Sequence, residues 1–235
     1  MENPLISVII PAYNEESYIE GALESVKRQT YDRFETVVVA NACKDNTARI
    51  ARAYANKVIE TPVRGMSKAN NLGTKVAEGS VFTFMDADSQ IKEDLLEQVY
   101  LSVASGYDVG KAKLKPLEKS LKATLQCLNW ELSARILGPI PGIDSGSGGF
   151  TFSTKDLFQK LENLYGYGFN PSLDVMLDVD FMTRAKKHGR YKYITESCLH
   201  TSMRRFIEEG YLKCLIEDAM HVMNPKGKTR KRWQN

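Results

Sequence analysis

The sequence predicts a mixed α/β fold with a mostly parallel central sheet flanked by helices, and three observations carry that expectation. Apolar, β-branched runs of strand length alternate with segments of helical period through the first half of the chain, the pattern of strands crossing over through helices. The runs are continuous rather than alternating, as in strands buried on both faces. The residues that follow them are unusually polar, and sheets of this kind hold ligands beyond the carboxyl ends of their strands.

Leu5 to Ile10 reads as the first strand, ended by Pro11. Ser17 to Thr30 follows as a helix, with Ile19, Ala22, Leu23 and Val26 on one stripe. Thr36 to Ala40 is the second strand, Thr47 to Ala55 a second helix and Lys57 to Thr61 a third strand. Lys68 to Glu78 reads as a helix stopped by Gly79, and Val81 to Met85 as a fourth strand running into Asp86-Ala87-Asp88. The second half is less regular. Leu117 to Leu137 reads as a long amphipathic helix closed by Gly138-Pro139, Pro141 to Gly149 as a glycine- and serine-rich loop, and Asp174 to His188 as a helix.

With 235 residues, 43% of them hydrophobic, the chain can bury a sizeable core without covalent staples, and we read residues 1–235 as one domain. A net charge of +3 is too slight to indicate a nucleic-acid partner, and none is expected. Cys43, Cys127, Cys198 and Cys214 form neither a metal-binding pair nor a disulfide framework, which fits a reducing cytoplasm. The amino terminus lacks the basic and apolar regions of a signal peptide. No apolar stretch approaches the roughly 20 residues of a membrane-spanning helix.

Asp86 and Asp88 place two carboxylates at the end of a buried strand, where both can face one crevice. Hard oxygen ligands in that arrangement suit Mg²⁺ or Mn²⁺ holding a diphosphate, although Asp-x-Asp also marks ordinary solvated turns. Ser7-Val8-Ile9-Ile10-Pro11-Ala12-Tyr13-Asn14-Glu15-Glu16 then resembles the opening strand and loop of family 2 glycosyltransferases. Gly65-Met66-Ser67-Lys68-Ala69-Asn70-Asn71-Leu72-Gly73 has that family's spacing at Gly65, Ala69, Asn71 and Gly73, and the Asp-x-Asp strand follows at the expected distance. Three motifs in order cover roughly the first hundred residues.

The resemblance implies the GT-A fold and transfer of a sugar from a nucleotide-diphosphate sugar to an acceptor hydroxyl on a sugar, glycolipid or lipid-linked molecule. It implies a donor half over residues 1–89 and an acceptor half over 90–224, and the charge pattern adds a basic tail over 225–235. Donor contacts fall on Pro11, Ala12, Tyr13, Glu15, Asn41, Arg64, Gly65, Lys68, Asn71, Asp86 and Ala87. The same stretches have plainer readings, because Asn14-Glu15-Glu16 also suits a helix cap and Gly73 a helix-packing contact. Asn41 stands where the family commonly has a base-contacting Asp, and an amide both donates and accepts, so the nucleotide preference is expected to differ from uridine. Asp45 suits a cap for the helix starting near Thr47.

Asp178-Val179-Asp180 resembles the family's Glu-Asp motif, with Leu177 in place of its Glu. Asp178 aligns with the general base of an inverting displacement, with Asp180 and Asp174 as competitors and an ion pair to Arg184 as the structural alternative. Gly146-Ser147-Gly148-Gly149-Phe150 resembles the acceptor-side loop, so Gly148, Gly149 and Asp180 are expected on that side. His200 stands where related enzymes place a third metal ligand or a diphosphate contact, and as a ligand it completes an Mn²⁺ or Mg²⁺ set with Asp86 and Asp88; the plainer reading of a lone His is a structural residue. The arginines of Thr201-Ser202-Met203-Arg204-Arg205-Phe206 suit either a diphosphate or the surface.

Lys226 to Arg232 carries five cations before Trp233, which suits weak contact with an anionic membrane and hence a cytoplasmic protein peripheral to the membrane's inner face. Two rival readings stay open. A nucleotidyltransferase would want a glycine- and lysine-rich phosphate loop after the first strand, and a catalytically silent nucleotide-sugar-binding protein is suggested by Asn41 and Leu177.

Overall fold

A computed structural model describes residues 3–141, 144, 148–173, 176–211, 213 and 214. The basic tail, Asp174 and the Gly146-Ser147 part of the loop lie outside the described residues. The first strand, β1 (Ile6–Ala12), pairs in parallel with β2 (Phe34–Asn41) and β4 (Val81–Met85), and β2 pairs in parallel with β3 (Lys57–Thr61). Four further strands come from the rest of the chain: β5 (Ser89–Ile91), β6 (Val109–Pro116), β7 (Phe150–Thr154) and β8 (Tyr191–Thr201). Among the described residues they complete one sheet of eight strands in the order β3-β2-β1-β4-β7-β6-β8-β5. Only β7, and β5 at the far edge, run antiparallel to their neighbours.

The continuous apolar runs are explained by cores on both faces. Ile6, Val8 and Ile10 of β1 enter one apolar cluster with α1 (Ile19–Lys27) and α4 (Leu95–Ala104). Ile9 and Val37 enter the other, with α6 (Lys155–Tyr165) and α7 (Leu177–Ala185). Gly73 of α3 (Met66–Val76) lies so close to the sheet that a Cβ there would sit 2.5 Å from Ile9, which accounts for the glycine by packing.

The differences from the sequence reading have local causes. Pro11 lies inside β1, because pairing with β4 stops at Ile9 while pairing with β2 runs on to Ala12, and a residue without an N–H is tolerated where one flank of a strand is open. The short α2 (Thr47–Ala51) stops before Ala55, and α3 starts at Met66 because Gly65, at φ 137°, turns the chain into it. The long helix α5 (Leu121–Leu137) begins only after Ser120, whose hydroxyl accepts from the Ala123 amide. A final short helix, α8 (Arg204–Glu209), follows β8. No helix among the described residues is long and apolar enough to cross a membrane.

Candidate active site

The loops after β1 and β2 are laced together. The Asn14 amide donates to Cys43 Sγ and its side-chain oxygen accepts from the Lys44 amide, the Glu15 amide donates to Thr47 Oγ1, and the Glu16 amide donates to Asp45. Asp45 accepts both the amide and the hydroxyl of Thr47, so it caps α2 as expected. Asn14 and Ala42, each with positive φ, lie in these turns, and such backbone persists only where the surroundings over-determine it. Between the loops lies Asn41, fully buried, with neither amide atom hydrogen-bonded among the described residues. A buried amide left unpaired costs about 1–3 kcal/mol, so this is a place prepared for a polar partner.

At the end of β4 the carboxylates gather. Burial, and then the charges of Asp88, Asp178 and Glu15, push the Asp86 carboxyl well above the ordinary range, and Arg204 offsets this only in part. Arg204 Nη2 lies 2.6 Å from Glu15 and 3.0 Å from Asp88, with its guanidinium over the Tyr18 ring. A surplus of hard oxygen charge sharing one guanidinium fits a divalent cation, which would supply the missing positive charge. The Asp86 amide donates to Gly149 O, and Gly149 takes φ +99° with no room for a Cβ against Leu199.

Asp178 starts α7 across the same space. A Cβ on Gly148 would lie 3.0 Å from its Oδ2, so the glycine keeps the approach to that carboxylate open. The position of α7 is fixed from below by an aromatic stack: Phe181 lies 4.6 Å from Phe169, which meets Phe84 of β4 edge-on at 4.8 Å. Phe84 and Phe181 thereby tie the strand carrying Asp86 to the helix carrying Asp178. Together Asp86, Asp178, Gly148, Gly149, Pro11 and Asn70 line one cavity of about 160 Å³.

Behind Asp178 lies a buried ionic cluster. Lys111 of β6, fully buried, reaches Asp144 at 2.6 Å and Asp178 at 3.5 Å, and Lys186 reaches Asp144 at 3.2 Å. Burial alone would push the Lys111 ammonium down, but the two aspartates outweigh it and hold it above the ordinary lysine value. Asp178 is raised by burial despite the opposing pull of Lys111. A carboxylate so raised, and still a quarter exposed, is suited to accept a proton.

Residues 7–114 match the sequence profile described as Glycosyl transferase family 2. Over that segment, a little under half of the chain, the sequence is similar to glycosyl transferase family 2. The glycosyltransferase GlyG of Streptococcus pneumoniae is 32% identical over 105 residues, covering 42% of this chain and 35% of that one. The chain spans about a third of the length of the curated relatives it matches. Among solved structures, the mannosyltransferase PcManGT from Pyrobaculum calidifontis, in complex with GDP-Man and Mn²⁺, superposes with a TM-score of 0.71 at 22% identity, over 98% of this chain and 67% of that one. S. aureus TarS 1-349 in complex with UDP gives 0.65 at 23% identity, over 84% and 60% of the respective chains. The fold is that of the GT-A glycosyltransferases.

The family 2 motifs do not all converge. Tyr13 stacks under Arg64, 4.2 Å from ring centre to guanidinium, beside the β1 end. Asn71, expected at the donor, instead exchanges two hydrogen bonds with the Phe169 backbone, and its neighbour Asn70 lines the cavity with its side-chain oxygen unpaired among the described residues. Lys68 and Asn71 border a different cavity, of about 390 Å³, with Thr61 and Tyr167. Asp180 is held by Arg184 at 2.6 Å, which is the structural alternative for that residue.

His200 does not join Asp86 and Asp88: no group of three metal-ligating side chains occurs among the described residues. It pairs in the sheet with Gln90 and Lys115, while Asp88 is approached from the same stretch by Arg204. Sequence reasoning missed Lys111 and Asp144. The run Lys111, Lys113, Lys115 has the period of a solvated strand face, and nothing local marks Lys111 as the buried one.

Proposed function

We propose that the chain is a glycosyltransferase that moves a sugar from a nucleotide-diphosphate sugar to an acceptor hydroxyl with inversion, using Asp178 as general base and a divalent cation. The observation that carries this reading is the shared cavity, with Asp86 on one wall and Asp178 on the other. Asn41 would meet the nucleotide, because its buried donor and acceptor are otherwise unmet. Tyr13 and Arg64 would flank the same ligand from the β1 side. Asp86 and Asp88 would hold Mn²⁺ or Mg²⁺, which supplies positive charge to a departing diphosphate. Arg204, already between Glu15 and Asp88, adds a fixed cation at that wall.

On the other wall Asp178 takes the acceptor proton as the acceptor oxygen bonds to the anomeric carbon and the bond to the diphosphate breaks. Gly148 leaves room there for the acceptor, and Gly149 lines the same cavity beside it. The acceptor would be a sugar, glycolipid or lipid-linked hydroxyl, and residues 1–89 and 90–224 would act as donor and acceptor halves of one domain, in a cytoplasmic protein.

Incubation with UDP- and GDP-sugars and an acceptor panel tests the proposal. Nucleoside diphosphate should be released only with acceptor and Mn²⁺ or Mg²⁺, and NMR of the product should show the inverted anomer. Pyrophosphate release from a nucleoside triphosphate and a sugar phosphate would support a nucleotidyltransferase instead. Donor binding without turnover across the panel would support a silent binder.

A further inference from the structure

Helix α5 is built inside out. Its buried face consists of Ala123, Gln126, Cys127, Glu131 and Ala134, whereas Leu121, Leu125, Leu128, Leu132 and Ile136 are each more than half exposed. Their spacing of three and four residues puts the five on a single stripe, and 17 residues make that stripe about 25 Å long. An amphipathic helix of a globular domain directs such a stripe at the core.

The charges sort the same way. Between Leu117 and Pro141 the acids are Glu118 and Glu131, and both are engaged inward: Glu118 accepts from Ser202 and the Met203 amide, and Glu131 is held by Lys113 and Arg135. The exposed charged residues of this stretch are Lys119 and Lys122, together with Arg135, which is already paired with Glu131. The outward face is therefore leucine-rich and cationic, without an exposed acid.

We propose that α5 is a membrane-surface helix that lies in the headgroup layer of an anionic bilayer, its leucines toward the acyl chains and its cations on lipid phosphates. Charge complementarity selects this occupant. A twofold pairing of two copies centred on Leu128 would set Lys122 of one against Arg135 of the other, whereas an anionic surface attracts both. Binding of this kind grows with buried apolar area and with anionic lipid content. The proposal is independent of the transfer reaction, because it is read without donor or acceptor. It is also distinct from contact through the basic tail.

The test is co-sedimentation of the full chain with phosphatidylcholine vesicles, with and without phosphatidylglycerol, at low salt. Binding is expected with phosphatidylglycerol and much less without it. Leu125→Asp with Leu132→Asp, both at exposed positions, should lower the partition about tenfold or more, with the thermal melt unchanged. Lys122→Glu, which touches no apolar residue of the stripe, should lower it several-fold and keeps the test valid if the double variant is unstable. A chain ending at Asn224 should still bind. Vesicle binding by the variants equal to that of the unaltered chain, equal binding to neutral vesicles, or no binding at all would overturn the proposal. So would loss of binding on tail removal alone, or a dimer in solution that the double variant converts to monomer.

Discussion

The two walls of the candidate site reach their geometry by different routes. On the wall made by the ends of β1 and β2, neighbouring loops are fastened by hydrogen bonds between Asn14, Glu15, Glu16, Cys43, Asp45 and Thr47, and Asn41 is left unmet between them. On the wall made by β6 and α7, ion pairs between Lys111, Asp144, Asp178 and Lys186 set the positions. The first wall is fastened loop to loop, yet it leaves the buried Asn41 amide without a partner among the described residues. The second is electrostatically filled, and it holds one carboxylate at the edge of the cavity.

Breaking the junction between the walls should have the largest effect. Asp88→Ala is expected to abolish transfer and to remove the Mn²⁺ dependence of nucleoside diphosphate binding, measured by calorimetry; unchanged Mn²⁺-dependent affinity would separate Asp88 from the cation. Within the ionic wall, Lys111→Met leaves Asp178 without its buried cation, while Asp144 keeps Lys186. Removing one partner of a buried pair typically costs ~3–5 kcal/mol, and the remaining Lys186 contact places the expected loss near the lower end. Urea unfolding measures this, and a loss under about 1 kcal/mol would show that the cluster does not hold the wall together. On the loop wall, Asn41→Asp replaces a donor and acceptor by an acceptor alone. It should raise the preference for uridine diphosphate over guanosine diphosphate in competition binding, and an unchanged ranking would remove Asn41 from base recognition.

The loop wall was the legible one. Its residues follow one another closely in sequence, so the strand ends, the Asp45 cap and the Asp86-Ala87-Asp88 turn could be read from period and residue type alone. The ionic wall depends on which residues a distant strand brings near, and three evenly spaced lysines give no sign that Lys111 is the buried one. The same limit explains Asn70 and Asn71, where a helix rotation of one residue decides which amide meets the cavity and which meets Phe169. It also explains α5, whose leucines would be assigned to the core by period and are found outside.

The smallest expected effect lies at the opposite end of β1 and β2, away from the cavity. Burial pushes Glu35 up, but bonds from Ser7 Oγ, the Glu78 amide and Lys57 outweigh it and hold the carboxyl below the ordinary glutamate value. A depressed folded-state value contributes stability that is present above the unfolded-state value and lost as pH falls through the folded one. Glu35→Gln should therefore cost about 1–3 kcal/mol at neutral pH, with the gap to the unaltered chain closing as pH falls below the carboxylate range. An equal gap at neutral and acidic pH would mean that the charge of Glu35 contributes nothing.

The central claim, that Asp178 accepts the acceptor proton opposite a donor held by the β1, β2 and β4 ends, is tested most directly with Asp178→Asn. Asparagine keeps the size and polarity of the side chain but cannot serve as the base. Calorimetry of the donor and single-turnover transfer should be measured on the same preparation. Donor affinity near that of the unaltered chain, with transfer slowed by about 10² or more, is the predicted result. Transfer at the unaltered rate would contradict the account and move the base elsewhere.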